Sequence, residues 1–254
     1  MLPSPPDPGA GPGTWKQDGR ERPGSRDLTK TIDPREAVGQ AYSAQAMLHA
    51  RERSMQAVQE IGRLIRPGMT EQQAREAASA HLLAMGIDRI WHPTIVRFGP
   101  ATLKTFKQAS EPGRVLGEDD IYFVDIGPVW DGHEGDAGDT FVTGSDRDMQ
   151  AAALAARQLW REVSELWRAQ HLSGADLYAQ AASRAEALGW RLNLDIKGHR
   201  VSDFPHAIYK AGSLGDFGLC PDTGIWILEI QIAHPQRPFG AFYEDILMRD
   251  DAAA

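Results

Sequence analysis

Between residues 145 and 170 apolar side chains recur at helical spacing, at Met149, Ala152, Ala156, Leu159, Trp160, Val163, Leu166 and Trp167. Such a stripe marks the buried face of a long helix, and Ser145 stands before it as a cap. Other apolar stretches are short and dense: residues 90–98 with Trp91, Thr94, Ile95 and Val96, then 121–127, 224–232 and 242–248. Their length and their β-branched and aromatic content predict strands. Asp33 followed by Pro34 is a helix start, an N-cap side chain before a proline at the first helical position. That helix is expected to run to about residue 66, where Pro67-Gly68 stops it. Thr70 and Gln73 form a capping box for a second helix ending at Gly86. Gly99-Pro100 breaks the strand that follows, and 101–119 reads as a loop. A shorter helix is predicted over 175–188, closed by Gly189, before the segment 190–196 and the polar stretch GHRVSDFPH.

Two helices then strands, twice over, give the chain its order. The strands follow each other too closely for βαβ crossovers, so the expected class is α+β. The halves share this architecture without sharing matching residues.

The ends and the charge narrow the picture. Residues 1–30 are rich in Pro and Gly and hold too little apolar surface to offset the entropy of ordering, so they read as a disordered tail. Residues 31–250 are expected to form a single domain, with 251–254 a disordered C-terminus. The net charge of −8, with scattered Lys and Arg, argues against a nucleic-acid partner. Cys220 is the single cysteine, which excludes an internal disulfide and fits a reducing compartment; it carries no pattern of a thiol enzyme and reads as inert. No apolar run reaches the roughly 18 residues of a membrane span, and the N-terminus has no signal-peptide core. A cytoplasmic protein with no membrane partner is the expectation; a homodimer stays open.

Chemistry concentrates in residues 121–144, IYFVDIGPVWDGHEGDAGDTFVTG. A turn at Asp131-Gly132 makes this a hairpin, which brings Asp125 and Asp136 close together. Neighbouring buried carboxylates repel, and such pairs persist by sharing a proton or binding cations. Glu229 sits inside the apolar run IWILEIQI, where an unpaired carboxylate would cost several kcal/mol. Glu244 opens another such run, and His199 and His206 flank a polar segment. Two Asp, a His and two Glu at strand positions make a plausible set of hard ligands.

This set resembles the "pita-bread" metallopeptidases, among them methionine aminopeptidase, aminopeptidase P, prolidase and creatinase. The resemblance rests on Asp125-Ile126-Gly127, Gly135-Asp136, Gly198-His199, Phe204-Pro205-His206, Glu229 and Tyr243-Glu244-Asp245, in the family's order, and covers about residues 34–250. It implies the pita-bread fold, two pseudo-symmetric halves of helices and antiparallel strands around a dinuclear metal site. It further implies that Asp125, Asp136, His199, Glu229 and Glu244 hold two divalent cations (Mn, Fe, Co or Zn), with Asp136 and Glu244 bridging. His206 would donate to the oxyanion and Glu229 would shuttle a proton. The implied activity is hydrolysis of a short peptide or amide, as in an aminopeptidase or Xaa-Pro peptidase. A lyase or C–N hydrolase of a small metabolite, or a binding module without catalysis, is the alternative.

Departures from the family pattern surround these ligands. The histidine usual after the glycine of the preceding strand is missing, and Thr105 occupies its place. His92 comes before that glycine and reads as structural. Ala207 replaces a glutamate after the second histidine, Arg200 stands where a small glycine is preferred, and Asp139 where Arg or Lys is usual. Arg200 and Asp203, between the two histidines, are candidates with Thr105 for reading a substrate's charged ends. His133 and Glu134 fall at the hairpin tip, where turn residues are ordinarily solvated. His49, His81, His171 and His234 read as surface or packing residues.

Overall fold

A computed structural model describes residues 33–206 and 212–249; the two expected tails lie outside them, as does Ala207. Among the described residues four α-helices, α1 (Ala44–Leu64), α2 (Glu71–Ala84), α3 (Arg147–Gln170) and α4 (Gly174–Ala187), cover a sheet of eight strands. The strands are β1 (Arg89–Phe98), β2 (Asp120–Trp130), β3 (His133–Glu134), β4 (Ala137–Thr143), β5 (Arg191–Leu192), β6 (His199–Arg200), β7 (Trp226–Ala233) and β8 (Gly240–Ile246). Their order is β1-β2-β4-β8-β7-β5, with β3 beside β2 and β6 beside β7, and every pairing is antiparallel. In each half the chain therefore works inward from an edge, and the halves meet where β4 lies beside β8. The expected α+β architecture of two matching halves is what the chain forms. No helix among the described residues is long and apolar enough to cross a membrane.

Alternation along the strands separates two faces. Tyr122, Val124 and Ile126 of β2 pack with Val58 and Ile61 of α1 and Ala74 and Ala78 of α2. On β7, Trp226, Leu228, Ile230 and Ile232 meet the α3 stripe Leu159, Trp160, Val163 and Trp167. Each fully buried aliphatic side chain contributes about 1.5–3 kcal/mol, so these two layers hold the helices to the sheet. The indole N–H groups are satisfied in place, Trp160 by Leu228 O at 3.0 Å and Trp167 by Pro221 O at 2.9 Å. Residues at the alternate positions, such as Phe123 and Phe242, point to the opposite face with Ile95 and Ile196. That face carries the polar residues of interest.

Two predicted boundaries move. Asp33 does cap a helix, but only the 3-10 turn Pro34–Glu36; the long helix begins at Ala44 under Ser43, whose hydroxyl accepts from Ala46 N. Tertiary bonds take the intervening backbone out of helical register. Gly39 N and Ala41 N donate to the Asp203 carboxylate, and Ser43 N donates to His133 Nε2. Glu36 is likewise engaged, accepting from Trp226 Nε1. For α3, Asp146 rather than Ser145 is the cap, accepting from Asp148 N and Met149 N, while Asp119 Oδ1 accepts from the N–H groups of both Ser145 and Asp146 and holds the entry to the helix.

Candidate metal centre

The sheet register lays the acidic residues in a row. Across four adjacent strands Asp125 lies opposite Gly138, Gly138 opposite Glu244, and Glu244 opposite Glu229. Paired residues in antiparallel strands share a face, so three carboxylates line up with one gap at the glycine. Gly138 has to be bare: a Cβ there would lie 2.8 Å from Glu244 Oε1 and 2.4 Å from the Phe242 ring. Asp136, two positions earlier, adds a fourth carboxylate beside that gap. On β6, His199 places Nε2 3.0 Å from Asp136 Oδ2.

Such crowding is not resolved by hydrogen bonds alone. Asp136 Oδ2 and Glu244 Oε1 are buried; Asp136 Oδ2 faces the His199 ring nitrogen, and no well-formed hydrogen bond reaches Glu244 Oε1 among the described residues. Burial pushes the Glu244 pKa well up, and the charges of Asp136, Asp125 and Glu229 push it further. Burial also lifts Asp125, to about 7, and raises Glu229. Asp136 goes the other way despite its burial, held low by the imidazoles of His92 and His199. Burial disfavours charge on those two rings, yet Asp136 and Asp125 lift His92 to about 9, and Asp136 and Glu229 lift His199 to about 10. Crowded carboxylate oxygens whose neighbours are one another and imidazole nitrogens are a ligand set that fits divalent cations. The ligand atoms of Asp136, His199 and Glu244 lie within 4.8 Å of one another, and so do those of His92, Asp125 and Asp136.

Orienting bonds fix several of these groups. Glu229 Oε2 accepts from Gly198 N at 2.6 Å, and His199 Nδ1 lies 3.0 Å from Arg200 O. Behind Glu244, the neighbouring Asp245 is bound in bidentate fashion by Arg51. His206 Nδ1 sits 2.8 Å from Glu134 Oε2, and Glu134 also accepts from the backbone N–H groups of Ser202 and His206.

Glu134 corrects the sequence expectation. It is fully buried rather than a solvated tip residue, because β3 pairs with β2 and tucks the side chain beneath the segment 202–206. His133 is buried too, bonded to Ser43 N and Asp131 O. His92, assigned a structural role from the sequence, enters the centre: its Nε2 is 3.6 Å from Asp125 Oδ1 and 3.4 Å from Asp136 Oδ1. The signal available was Pro93 inside a strand, which marks a bulge and hence a change of face. Trp91 stands among three imidazoles, 4.4 Å from His92, 4.9 Å from His206 and 5.7 Å from His199 between ring centroids. Its indole N–H donates to Gly135 O.

These groups open into a cleft of about 480 Å³ with Trp91, Ile95, Phe106 and Ile196 as apolar walls and Lys107 and Lys197 as cations. Three residues expected to read the substrate are placed elsewhere. Arg200 is buried, donating to Ala37 O and Ile225 O with its guanidinium over Trp226. Asp203 accepts from Gly39 N, Ala41 N and Ser202 Oγ. Both clasp the segment before α1 instead of facing the cleft. Thr105 bonds Gln108 through its backbone, and its neighbours Phe106 and Lys107 are the ones that line the cleft. Asp139, where a cation was usual, is neutralised from α3 by Arg157 Nε at 2.7 Å.

Comparisons with known proteins give a consistent result. The sequence model of metallopeptidase family M24 matches residues 45–248. Among solved structures, the chain superposes on the X-Pro aminopeptidase of Thermotoga maritima with a TM-score of 0.61 and 19% identity, covering 81% of this chain and 58% of that one. The prolidase of Pyrococcus furiosus gives 0.60 and 17%, with 81% and 59% coverage. The methionine aminopeptidase of Thermotoga maritima gives 0.61 and 17%, over 82% of this chain and 93% of its own. The chain thus spans less than two thirds of the prolidase and X-Pro aminopeptidase and nearly all of the methionine aminopeptidase. No curated protein matches the sequence significantly.

Proposed function

We propose that this chain, which belongs to metallopeptidase family M24, is a two-cation hydrolase that cleaves short peptides near the N-terminus, with an Xaa-Pro dipeptide as the leading substrate type. The observation that carries this is the row Asp125, Glu244 and Glu229 with Asp136 and His199 beside it, in which the ligand atoms of Asp136, His199 and Glu244 lie within 4.8 Å of one another and Glu244 Oε1 is buried without a donor. In this reading Asp125, Asp136, His199, Glu229 and Glu244 would hold the cations. Bound there, a pair of divalent cations supplies a water of lowered pKa and a Lewis acid for the scissile carbonyl.

The remaining steps fall to the chain's own groups. Glu229, its pKa raised by burial and fixed by Gly198 N, is placed to carry a proton from the attacking water to the leaving nitrogen. His206, with Nδ1 turned to Glu134, presents its other edge to the cleft and meets the oxyanion as it develops. Trp91, Ile95, Phe106 and Ile196 exclude water from one wall and give an apolar side chain or a proline ring a surface to pack on.

A panel of Xaa-Pro, Met-Xaa and non-peptide amide substrates, each assayed with Mn(II), Co(II), Fe(II) and Zn(II), tests this. Turnover of a peptide by protein carrying two equivalents of metal is expected. A protein that retains no divalent metal on reconstitution, or that turns over only non-peptide substrates, overturns it. Manganese is one of the metals the panel compares.

A further inference from the structure

We propose that His92 is a metal ligand, so that the centre carries an imidazole on its Asp125 side as well as the one His199 brings to its Glu229 side. This rests on the two-cation reading above and adds a sixth protein ligand to it.

The geometry of β1 is built around bringing this ring across the sheet. His92 lies opposite Gly127 and Ile95 opposite Asp125, with a register shift between them. Gly127 and Asp125 are two positions apart and share a face. His92 and Ile95 are three apart, and in a regular strand they would point to opposite faces. An extra residue on the β1 side, inserted between them, brings both to the cation face. Pro93 lies within this bulge, where its lack of an N–H costs no ladder bond. A second shift separates Ile90 from His92, and with it Trp91 also lines the cleft.

Room for the ring is made on the partner strand. A Cβ at Gly127 would lie 2.1 Å from His92 Cδ2 and 2.3 Å from His92 Nε2. Only a glycine opposite allows the imidazole to lie flat over β2 and reach the carboxylates. Its Nε2 then stands 3.6 Å from Asp125 Oδ1 and 3.4 Å from Asp136 Oδ1. Cation–ligand bonds of about 2.0–2.2 Å place two ligands of one cation roughly 3–4.3 Å apart, depending on the angle. Both contacts fall in that interval.

The orientation of the ring points the same way. His92 Nδ1 is 3.1 Å from the carbonyl of Pro93, the residue that follows it. His199 Nδ1 is 3.0 Å from the carbonyl of Arg200, likewise the next residue. A ring that donates through Nδ1 keeps its lone pair on Nε2, the usual state of a metal-bound histidine. The same device therefore serves both imidazoles. An ion pair between a protonated His92 and the two aspartates is the competing arrangement, and it would leave Nε2 with a hydrogen instead of a cation.

Cobalt(II) separates the two without relying on turnover. Loaded with Co(II), the wild-type protein should bind two equivalents by calorimetry. Its proton NMR spectrum should contain two paramagnetically shifted, exchangeable imidazole N–H signals. His92→Ala should lose one of them and weaken one of the two cations at least about tenfold, and His199→Ala should lose the other. Gly127→Ala should weaken the same cation as His92→Ala while the fold, followed by circular dichroism, is kept. Wild-type protein with two equivalents bound but one shifted N–H signal, or His92→Ala with both signals, overturns the assignment of His92 and leaves the two-cation reading standing. Wild-type protein that binds no Co(II) overturns both.

Discussion

From each edge of the sheet to its middle, the two halves of the chain are laid out alike, β1, β2 and β4 on one side and β5, β7 and β8 on the other. Around Asp136 each half brings one imidazole and two carboxylates together, His92, Asp125 and Asp136 from the first and His199, Glu229 and Glu244 from the second, while His206 and Asp195 of the second half line the cleft further out. They differ in how the imidazole arrives. β6 is two residues long and follows Gly198, so a short turn sets His199 beside the glutamate that Gly198 itself binds. β1 is ten residues long and well paired, and there the ring gains its face only through a bulge and a bare Gly127. An architecture repeated twice thus supports a site whose chemistry is balanced although the residues supplying it occupy unrelated positions. Balance at the cleft comes from register, and register leaves no repeated motif in the sequence.

Asp136 is where the comparison can be broken most sharply, because its Oδ1 faces His92 and its Oδ2 faces His199. Asp136→Ala is expected to abolish binding of both cations and to lower turnover by more than about 10³, beyond the roughly 10²–10³ that loss of one charge-stabilising donor costs. Glu229→Ala, confined to the second half, should keep one cation. Metal analysis after gel filtration reads both. Retention of one tightly held cation by Asp136→Ala, with none in Glu229→Ala, would show that the halves are not joined through Asp136.

Glu134 crosses between the halves in the other direction, from β3 to His206 in the loop after β6. Removing its charge should disorient the ring without touching a ligand. Glu134→Gln is expected to lower kcat about 10–100-fold, the usual cost of losing a partner that orients a functional histidine. Cation stoichiometry should stay at the wild-type value. Unchanged kcat would remove His206 from the reaction.

These tests also mark what could be seen in the sequence. The strands, the helix stripe of α3 and the capping box of α2 are local patterns, and they form where the pattern places them. Asp125, Asp136, His199, Glu229 and Glu244 were legible as candidates because a carboxylate such as Glu229 inside an apolar run has no cheap alternative, and because two Asp, a His and two Glu at strand positions together make a set of hard ligands. His92, Glu134 and the roles of Arg200 and Asp203 were not. Each depends on which of two faces a side chain takes, and a single bulge or a two-residue strand decides that. The break between Glu36 and Ala44 was hidden for a related reason: the helix start at Asp33 is real, but bonds to Asp203 and His133, remote in sequence, end it after one turn.

Protons offer a smaller, graded probe of the two sides. In the cation-free protein Asp125 has a pKa of about 7, above the ordinary 3.8, so the fold retains a proton there and loses stability as pH rises from about 4 to 7. His92 and His199 are lifted from 6.5 to about 9 and about 10. Their contribution is fully present below 6.5 and is lost as pH climbs through those values. Both effects weaken the cation-free fold as pH rises. A bound cation takes the place of these protons, so the difference in Tm between metal-loaded and chelator-treated protein should widen steadily between about pH 5 and pH 9. Scanning calorimetry at three pH values measures it, and a gap that narrows with pH would show that these groups are not the ligands.

The smallest effect is expected where the second half holds the first at a distance from the cleft. Asp203 gathers the N–H groups of Gly39 and Ala41 and the Ser202 hydroxyl, and it is buried while doing so. Asp203→Ala leaves two backbone donors of the segment before α1 without an acceptor, a cost of about 1–3 kcal/mol per unsatisfied group, visible in urea unfolding. Because the carboxylate faces that segment and not the cleft, KM for a charged dipeptide should stay within about twofold of the wild type. A large rise in KM with unaltered stability would return Asp203 to the substrate, and with it the idea that the residues between the two histidines read the substrate's charged ends.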